Sequence, residues 1–334
     1  MFPVTRALLI INRKAGTGEG DAVAEKLTSL FRQSLDQLSN VKVELVGDHV
    51  AARTCAAEFI SACEAPAFVV AGGGGGTLRA TIEGICDARD SKELPKHVRV
   101  AALRLGSGNV VAKQFGVPRD PTVALNGLLL NLKAGRIVQC CVIRCETLTS
   151  SGASVVHYGV TMGGLGQFGR IPSDLARWHA RFPTLHKTAA RFGIEKYNNV
   201  EYAVAFLIRA ISCLLNPRRA EMIEIQLQNR TERFRLLSGV LLNFPINVIP
   251  FNPGVRIEDE ALSLFLVAAD RLIPHTHRIR IEKNQRFGIR FVDRECVEFF
   301  LDEDPVTTYG QVTFGVAGSI AFVPGPDYQN GVMK

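Results

Sequence analysis

The fold is decided by one stretch, residues 67–78, which reads AFVVAGGGGGTL. An apolar run leads into five consecutive glycines, and Thr77 opens a segment with apolar residues at helical spacing. This pattern predicts a buried strand, a glycine loop and a helix. Glycine lets a ligand approach the main chain closely, and the first N–H groups of a helix attract anions. A flexible linker is also glycine-rich, but the strand and helix patterns on either side favour a phosphate-binding loop.

Two further strands end in loops that contain glycine. The apolar run 7–11 leads into residues 12–18, and the apolar run 98–103 leads into residues 105–109. A helical pattern follows each loop. The recurrence predicts a parallel sheet whose loops share one edge, and ligands gather at the carboxyl ends of the strands in such sheets.

The sequence pattern changes after residue 135. The segments become shorter, alternating and rich in β-branched residues, which is typical of antiparallel strands. The predicted strands are 137–144, 154–161, 221–228, 237–244, 262–268, 279–283 and 297–301, and helical patterns cover 189–194 and 200–215. We therefore expect an α/β nucleotide-binding domain over residues 1–135 and a second, mainly antiparallel β domain over residues 136–311.

Composition limits the partners. The 334 residues include 39 basic and 32 acidic side chains, for a net charge of +7, which favours anionic partners such as a nucleotide or an acidic membrane surface. No arginine-rich run with interleaved aromatics appears, so nucleic acid is not expected. The eight cysteines form no CxxC pair, which suggests a reducing compartment. No apolar stretch reaches the ~18 residues of a transmembrane segment. We expect a cytoplasmic protein, with peripheral attachment to the inner face of a membrane left open.

Three segments of the first half resemble the nucleotide loops of the diacylglycerol kinase catalytic-domain family, the bacterial lipid kinases of diacylglycerol and sphingosine type. Residues 12–16 (NRKAG) resemble the family's Asn-Pro-x-Ser/Ala-Gly loop. Residues 73–77 (GGGGT) resemble Gly-Gly-Asp-Gly-Thr, and residues 103–109 (LRLGSGN) resemble Leu-Pro-x-Gly-Thr-x-Asn.

Three segments of the second half extend the resemblance to nearly the whole chain. Residues 162–166 (MGGLG) resemble a glycine turn of the family's second domain. Residues 258–262 (EDEAL) resemble Asp-Gly-x-Leu, and residues 301–305 (LDEDP) resemble Asp-Gly-Glu-Pro. The family implies an α/β domain followed by a β-sandwich domain, an active site in the cleft between them, and a last strand near residues 312–325 that returns to the first domain.

The resemblance implies ATP as the nucleotide, with its phosphates on the glycine loops. The residues that it assigns to ATP binding are Asn12, Lys14, Gly16, Gly73, Gly74, Gly75, Gly76, Thr77, Arg79, Arg104, Gly106, Ser107 and Asn109.

The chain departs from the family at three carboxylates. Gly75, Ala80 and Val110 stand where the family has the loop aspartate, a glutamate and a frequent aspartate. Each change removes an oxygen ligand of the kind that Mg²⁺ prefers, so the family's Mg²⁺ cofactor becomes uncertain here. Arg79 and Arg104 add positive charge beside the same loops. Either an arginine neutralises phosphate directly or the site binds an anion without transferring phosphate.

A second acidic set survives in part. By register, Asp304 replaces the family glutamate proposed as the proton acceptor, and Glu303 could serve after a shift of one residue. A solvated acidic turn is the alternative. Asp259 resembles an aspartate that binds a structural Mg²⁺ in the family, and we take Asp259 and Asp302 as the candidate metal ligands.

These observations favour a lipid kinase homologue that transfers the ATP γ-phosphate to a lipid hydroxyl, of diacylglycerol or sphingosine type, with reduced activity. The alternative is an inactive nucleotide- or lipid-phosphate-binding homologue with a regulatory or scaffold role. A relative of the NAD kinases is a third interpretation, which the second-domain motifs disfavour. The expected partners are a nucleotide and a lipid at a membrane surface, and a homodimer is left open.

A basic stretch with two aromatics is a separate candidate. Its residues are Arg170, Arg177, Trp178, Arg181, Phe182, Lys187 and Arg191. Cations and aromatic side chains suit the surface of an anionic membrane, although a solvated basic face has the same composition.

Overall fold

A computed structural model describes residues 4–15, 20–35, 38, 40–62, 64–88, 94–106, 109–182, 199–227, 230–246, 254–269, 275–302 and 304–328. The chain divides into two compact units. The first comprises Met1–Val142, Arg256–Asp259 and Ala317–Lys334, and the second comprises Ile143–Val255 and Glu260–Val316. Within the described ranges, no helix is both long and apolar enough to cross a membrane.

The first unit is an α/β domain. Its strands are β1 (Arg6–Asn12), β2 (Asn40–Val46), β3 (Ala67–Gly73) and β4 (Val98–Arg104). Its helices are α1 (Gly20–Ser34), α2 (His49–Ser61), α3 (Gly75–Asp87), α4 (Val110–Gln114) and α5 (Pro121–Lys133). The four strands are parallel in the order β2-β1-β3-β4. Every residue of β3 is buried, as expected of a parallel strand with both faces covered.

The last strand returns to this unit. Strand β15 (Gln311–Phe322) pairs in parallel with β4 through Ala321 and Phe322. The ring of Phe322 stacks on that of Phe115, with 4.7 Å between the centroids. The side-chain amide of Asn131 donates to the carbonyl oxygens of Pro324 and Gly325 at 2.8 and 3.1 Å. The carboxyl-terminal segment is therefore part of the core of the first unit.

The second unit is mainly antiparallel. Its first elements are β5 (Val138–Leu148, which begins in the first unit), β6 (Ser154–Gly159), β7 (Met162–Leu165), α6 (Gly166–Gly169), α7 (Ile171–Arg181) and α8 (Asn199–Leu215). The later strands are β8 (Glu221–Leu227), β9 (Arg230–Leu242), β10 (Ala261–Ala268), β11 (His275–Glu282), β12 (Arg286–Phe291), β13 (Cys296–Leu301) and β14 (Asp304–Tyr309). Antiparallel pairing joins β14, β13, β7, β9, β8, β12 and β15 in that order, while β10 joins β9 to β11 and β5 pairs with β6.

The two-part fold class predicted from the sequence, an α/β domain followed by a mainly antiparallel domain, is confirmed. One local expectation needs correction. Residues 162–165 form β7 rather than a turn, and only Gly166 adopts a positive φ, of 63°. The glycines fit a strand here because Phe300 covers them: a Cβ on Gly164 would lie 2.1 Å from Cε1 of that ring. The predicted helix 189–194 lies outside the described residues.

Candidate nucleotide-binding site

The glycine loop between β3 and α3 presents mainly its main chain, and at Gly73 it leaves no room for a side chain. A Cβ on Gly73 would lie 2.2 Å from the hydroxyl oxygen of Thr77. Gly74 is the N-cap of α3 in an extended conformation, and it offers no side chain to cap the helix. Gly74, Gly75 and Gly76 are partly exposed, whereas Thr77 is buried. The main chain is therefore the surface that a ligand would meet.

The partly exposed amino terminus of α3 has main-chain donors that suit an anion. The first N–H groups of a helix have no intrahelical acceptor, and the helix dipole places partial positive charge on them. In the first turn, which the structure describes completely, no acidic side chain opposes that charge. The N–H groups of Gly75 and Gly76 can therefore donate to phosphate oxygens.

Asn12 connects the first loop to the second. Its side-chain nitrogen donates to the hydroxyl oxygen of Thr77 at 3.1 Å, and its side-chain oxygen Oδ1 accepts the N–H of Lys14 at 2.9 Å. Because the Thr77 oxygen accepts from Asn12, its own proton remains directed elsewhere and can reach a ligand oxygen. Asn12 thus positions a hydroxyl donor beside the helix terminus, and Lys14 is exposed beside it.

The loop after β4 is bonded to the glycine loop. The N–H groups of Leu105 and Gly106 both donate to the carbonyl oxygen of Gly73, at 3.1 and 3.0 Å. A Cβ on Gly106 would lie 2.5 Å from Cα of Gly74, so this crossing requires glycine. Asn109 adopts a left-handed φ of 49° and its side-chain amide donates to the carbonyl oxygen of Gly106. The described parts of the three predicted loops therefore meet at one edge of the sheet.

Both predicted arginines, Arg79 and Arg104, make contacts within the first unit. Arg79 is buried and donates to Glu83 one turn along α3, at 3.1 and 3.2 Å. Arg104 is partly buried and one of its terminal nitrogens lies 3.4 Å from the carbonyl oxygen of Val117. The charge of Arg79 is thus balanced within its own helix. That either arginine holds phosphate stays a prediction.

Glu83 contacts three basic side chains from two helices, a cluster that the sequence analysis missed. Besides Arg79, it accepts from His49 at 2.8 Å and from Arg53 at 3.3 Å, and Arg53 also binds Asp87. Burial raises the pKa of Glu83, but the hydrogen bond from His49 and the nearby charges of Arg79 and Arg53 outweigh burial and lower the pKa to about 2. The i,i+4 spacing of Arg79 and Glu83 was the available sequence signal.

The carboxylate of Asp302 in the second unit is occupied by the main chain. It is buried and accepts the N–H groups of Val160, Thr161 and Met162 at 2.6, 2.8 and 3.2 Å, as well as the Thr161 hydroxyl. Its own φ is 50°, in the turn between β13 and β14. This geometry is that of a structural anchor, and it gives no support to the predicted metal role.

Comparison with known proteins identifies the first unit. A family model, the diacylglycerol kinase catalytic domain, matches residues 6–140, which hold all three loops. Residues 6–140 thus match the diacylglycerol kinase catalytic domain. The resemblance inferred from the loop motifs is therefore confirmed.

Solved structures extend the likeness in fold to the whole chain. Two structures of candidate diacylglycerol kinases from Bacillus anthracis str. Sterne match at 16% identity, with TM-scores of 0.62 and 0.61; they cover 97% and 96% of this chain, and 99% and 98% of their own. A third structure, described as a diacylglycerol kinase from the same organism, matches at 15% identity with a TM-score of 0.58, over 96% of this chain and 97% of its own. The comparison with curated proteins found no match.

The acidic candidates that the structure describes give no support to a resident Mg²⁺. Across the described ranges, no three His, Cys, Asp or Glu side chains come close enough to hold a metal ion. Asp259 accepts the N–H of Arg256 at 3.0 Å and closes a turn. Asp304 is the partly exposed first residue of β14. The predicted residues Gly16, Ser107 and Glu303 lie outside the described residues.

Proposed function

We propose that the chain is an ATP-dependent lipid kinase homologue of reduced activity, which transfers the γ-phosphate to the hydroxyl of a diacylglycerol- or sphingosine-like lipid. The observation that carries the proposal is the crossing of two glycine loops at the exposed terminus of α3, within a diacylglycerol kinase catalytic domain. Main-chain donors at such a terminus suit the phosphates of a nucleotide.

The proposed roles follow from the contacts. The N–H groups of Gly75 and Gly76 bind phosphate oxygens, and the Thr77 hydroxyl, held by Asn12, adds a donor whose direction is fixed. Gly106 keeps the two loops in contact. Phosphoryl transfer depends chiefly on positioning and charge stabilisation, which these groups supply. By the family resemblance, Asp304 or Glu303 is the proposed acceptor for the proton of the lipid hydroxyl.

The metal is not part of the proposed mechanism. Family kinases use Mg²⁺, but Gly75 offers no carboxylate and the oxygens of Asp302 accept main-chain N–H groups. No step is therefore assigned to an ion held by this chain. The missing metal ligands are the reason to expect reduced activity, because charge on the transferred group is then balanced without an ion held by the loop.

A second candidate function rests on the same observation at Gly75. A protein that keeps the phosphate donors but lacks the loop carboxylate can bind a nucleotide or a lipid phosphate without transferring phosphate. It would act as a regulatory or scaffold protein on the kinase fold.

Calorimetry of ATP binding, with and without Mg²⁺, and a labelled-phosphate assay on diacylglycerol and sphingosine in detergent micelles test both candidates. The wild type, Gly75→Asp and the control Gly47→Asp are compared, because Gly47 has no neighbour within 4 Å of a Cβ position. We expect ATP binding, slow transfer by the wild type, and transfer at least tenfold faster in Gly75→Asp only. Binding without transfer in any variant would select the second candidate. Absence of ATP binding would overturn the kinase and the nucleotide-binding form of the second candidate.

A further inference from the structure

Helix α8 has its apolar face turned outward. Large apolar side chains that recur at helical spacing are exposed along one side, with Leu207, Ile208 and Leu215 exposed by 58, 63 and 82%. Val204 and Ile211 belong to the same side. An ordinary surface helix shows the opposite pattern, with its apolar stripe toward the core.

Polar contacts fix this orientation. Arg209, on the inward side of α8, donates to Asp174 of α7 and to the side-chain oxygen of Gln167, the latter at 2.9 Å. Phe206 packs edge-on against Phe168, with 5.9 Å between the ring centroids. Rotating α8 to bury its stripe would bring Arg209 out and break these contacts. The exposed stripe is thus a stable feature of the fold.

Helix α7 presents aromatic and basic groups beside the stripe. Trp178 and Phe182 are 44 and 46% exposed, and Arg177 and Arg181 are exposed with them. Arg218 follows α8 and is exposed as well. Among the exposed residues that the structure describes in α7 and α8, none is acidic. Arg170, by contrast, does not contribute to this surface because it binds the buried Glu221 at 2.6 Å.

We propose that this surface, the α7–α8 face, docks onto an anionic phospholipid bilayer, with α8 lying in the interface. An apolar stripe flanked by tryptophan and arginine is the composition of helices that lie in the membrane plane, and anionic headgroups attract the arginines. In a symmetric pair of copies the same basic residues would face one another, which disfavours a second copy as the occupant. The inference extends the proposed function to where the lipid resides, but docking needs no nucleotide.

The single tryptophan of the chain, Trp178, reports the docking directly. Without ATP, vesicles of phosphatidylcholine with phosphatidylglycerol are expected to shift its fluorescence to the blue and to shield it from an aqueous quencher. Phosphatidylcholine alone is expected to have little effect, and added salt to weaken binding. No shift and no co-sedimentation with the anionic vesicles would overturn the proposal.

Matched variants test whether vesicle binding depends on the α7–α8 face or on exposed apolar side chains in general. The triple variant L207S/I208S/I211S replaces exposed residues of α8, and V50S/V123S/L130S replaces equally exposed apolar residues of α2 and α5. We expect the first triple variant to lose at least tenfold in vesicle affinity and the second to bind like the wild type. Equal binding by both would overturn the proposal, as would light scattering that shows a dimer broken by L207S/I208S/I211S without vesicle binding.

The docking result is independent of the kinase result. ATP affinity and transfer to lipid in detergent micelles, measured on the same α8 variant, are expected to match the wild type because neither assay uses a bilayer. Loss of vesicle binding with intact ATP binding supports the docking surface, whereas failure of ATP binding in every protein bears only on the proposed function.

Discussion

Glu83 holds α2 and α3 together through charge. Its side chain is 1% exposed, and its partners are His49 and Arg53 on α2 and Arg79 on α3. Replacing the carboxylate would take this ion pair from the buried Arg79, which costs far more than losing a surface pair. The buried Arg79 of α3 therefore requires the carboxylate of Glu83.

Replacing this carboxylate tests its contribution. Glu83→Gln is expected to lower the free energy of unfolding at neutral pH by about 3 kcal/mol, the value that corresponds to a pKa lowered from 4.5 to about 2. Glu58→Gln, an exposed position on α2, is the control and should cost less than about 0.5 kcal/mol. Denaturant unfolding of the three proteins gives both values.

The pH dependence has a definite sign. The pKa of Glu83 is lower in the folded state than in the unfolded state. The contribution of its carboxylate to the free energy of unfolding is therefore complete above the unfolded-state pKa near 4.5, and it is lost as the pH falls toward 2. The stability gap between wild type and Glu83→Gln should therefore narrow below about pH 4.5. A gap that stays constant with pH would show that the variant acts through packing alone.

The roles of some single residues could be predicted from the sequence, and those of others could not. Thr77 and Asn12 could be placed at the site because each follows a recognisable strand. The partner of Arg79 could not be chosen, since a cation beside a phosphate loop and a cation paired with Glu83 look alike in sequence. Asp302 gave a similar ambiguity, because only the folded turn shows that main-chain N–H groups occupy its oxygens.

At the scale of elements, the site depends on two loops that cross at glycine. The carbonyl oxygen of Gly73 accepts two N–H groups from the loop after β4, so displacement of one loop moves the other. The crossing leaves Cα of Gly74 only 2.5 Å from where a Cβ of Gly106 would stand. A side chain can enter only if the main chain shifts.

Gly106→Ala is expected to disturb this crossing. Overpacking should cost about 1–3 kcal/mol of stability. The shifted loop should also weaken ATP binding at least tenfold, because the N–H groups of Gly75 and Gly76 lose their alignment. Gly47→Ala is the matched control, since nothing lies within 4 Å of its Cβ position. Thermal unfolding measures the effect on stability, and calorimetry measures the effect on ATP binding. Equal stability and equal ATP affinity of the two variants would contradict the requirement for glycine at position 106.

Elements with local signals were predictable, and those that depend on distant partners were not. The parallel strands read as apolar runs because both faces are covered. Strand β7 was missed because two of its four residues are glycine, and β14 because it begins with Asp-Pro. Strand β7 is stabilised by its pairing with β9 and β13, which lie far away in sequence.

At the scale of the whole molecule, the first unit is discontinuous in sequence. The family model ends at residue 140, yet the sheet of that unit gains β15, from the end of the chain, beside β4. The N–H of Gly325 donates to the carbonyl oxygen of Phe115 at 2.7 Å, and Phe322 is 1% exposed. The domain that the sequence motifs define is thus completed by residues 317–328.

Phe322→Ala tests whether this return is energetically part of the first unit. Truncating a buried phenylalanine should cost about 3–5 kcal/mol, because the stacked ring of Phe115 loses its partner and a cavity remains. Phe182→Ala, at an exposed ring, is the control and should stay within about 0.5 kcal/mol. Hydrogen exchange should show faster opening of β4, α4 and α5 in Phe322→Ala, with β9 and β10 unchanged. Uniformly faster exchange across both units would instead show that the two units unfold together. A loss of stability no larger than that of the control would show that the return segment is not energetically part of the core.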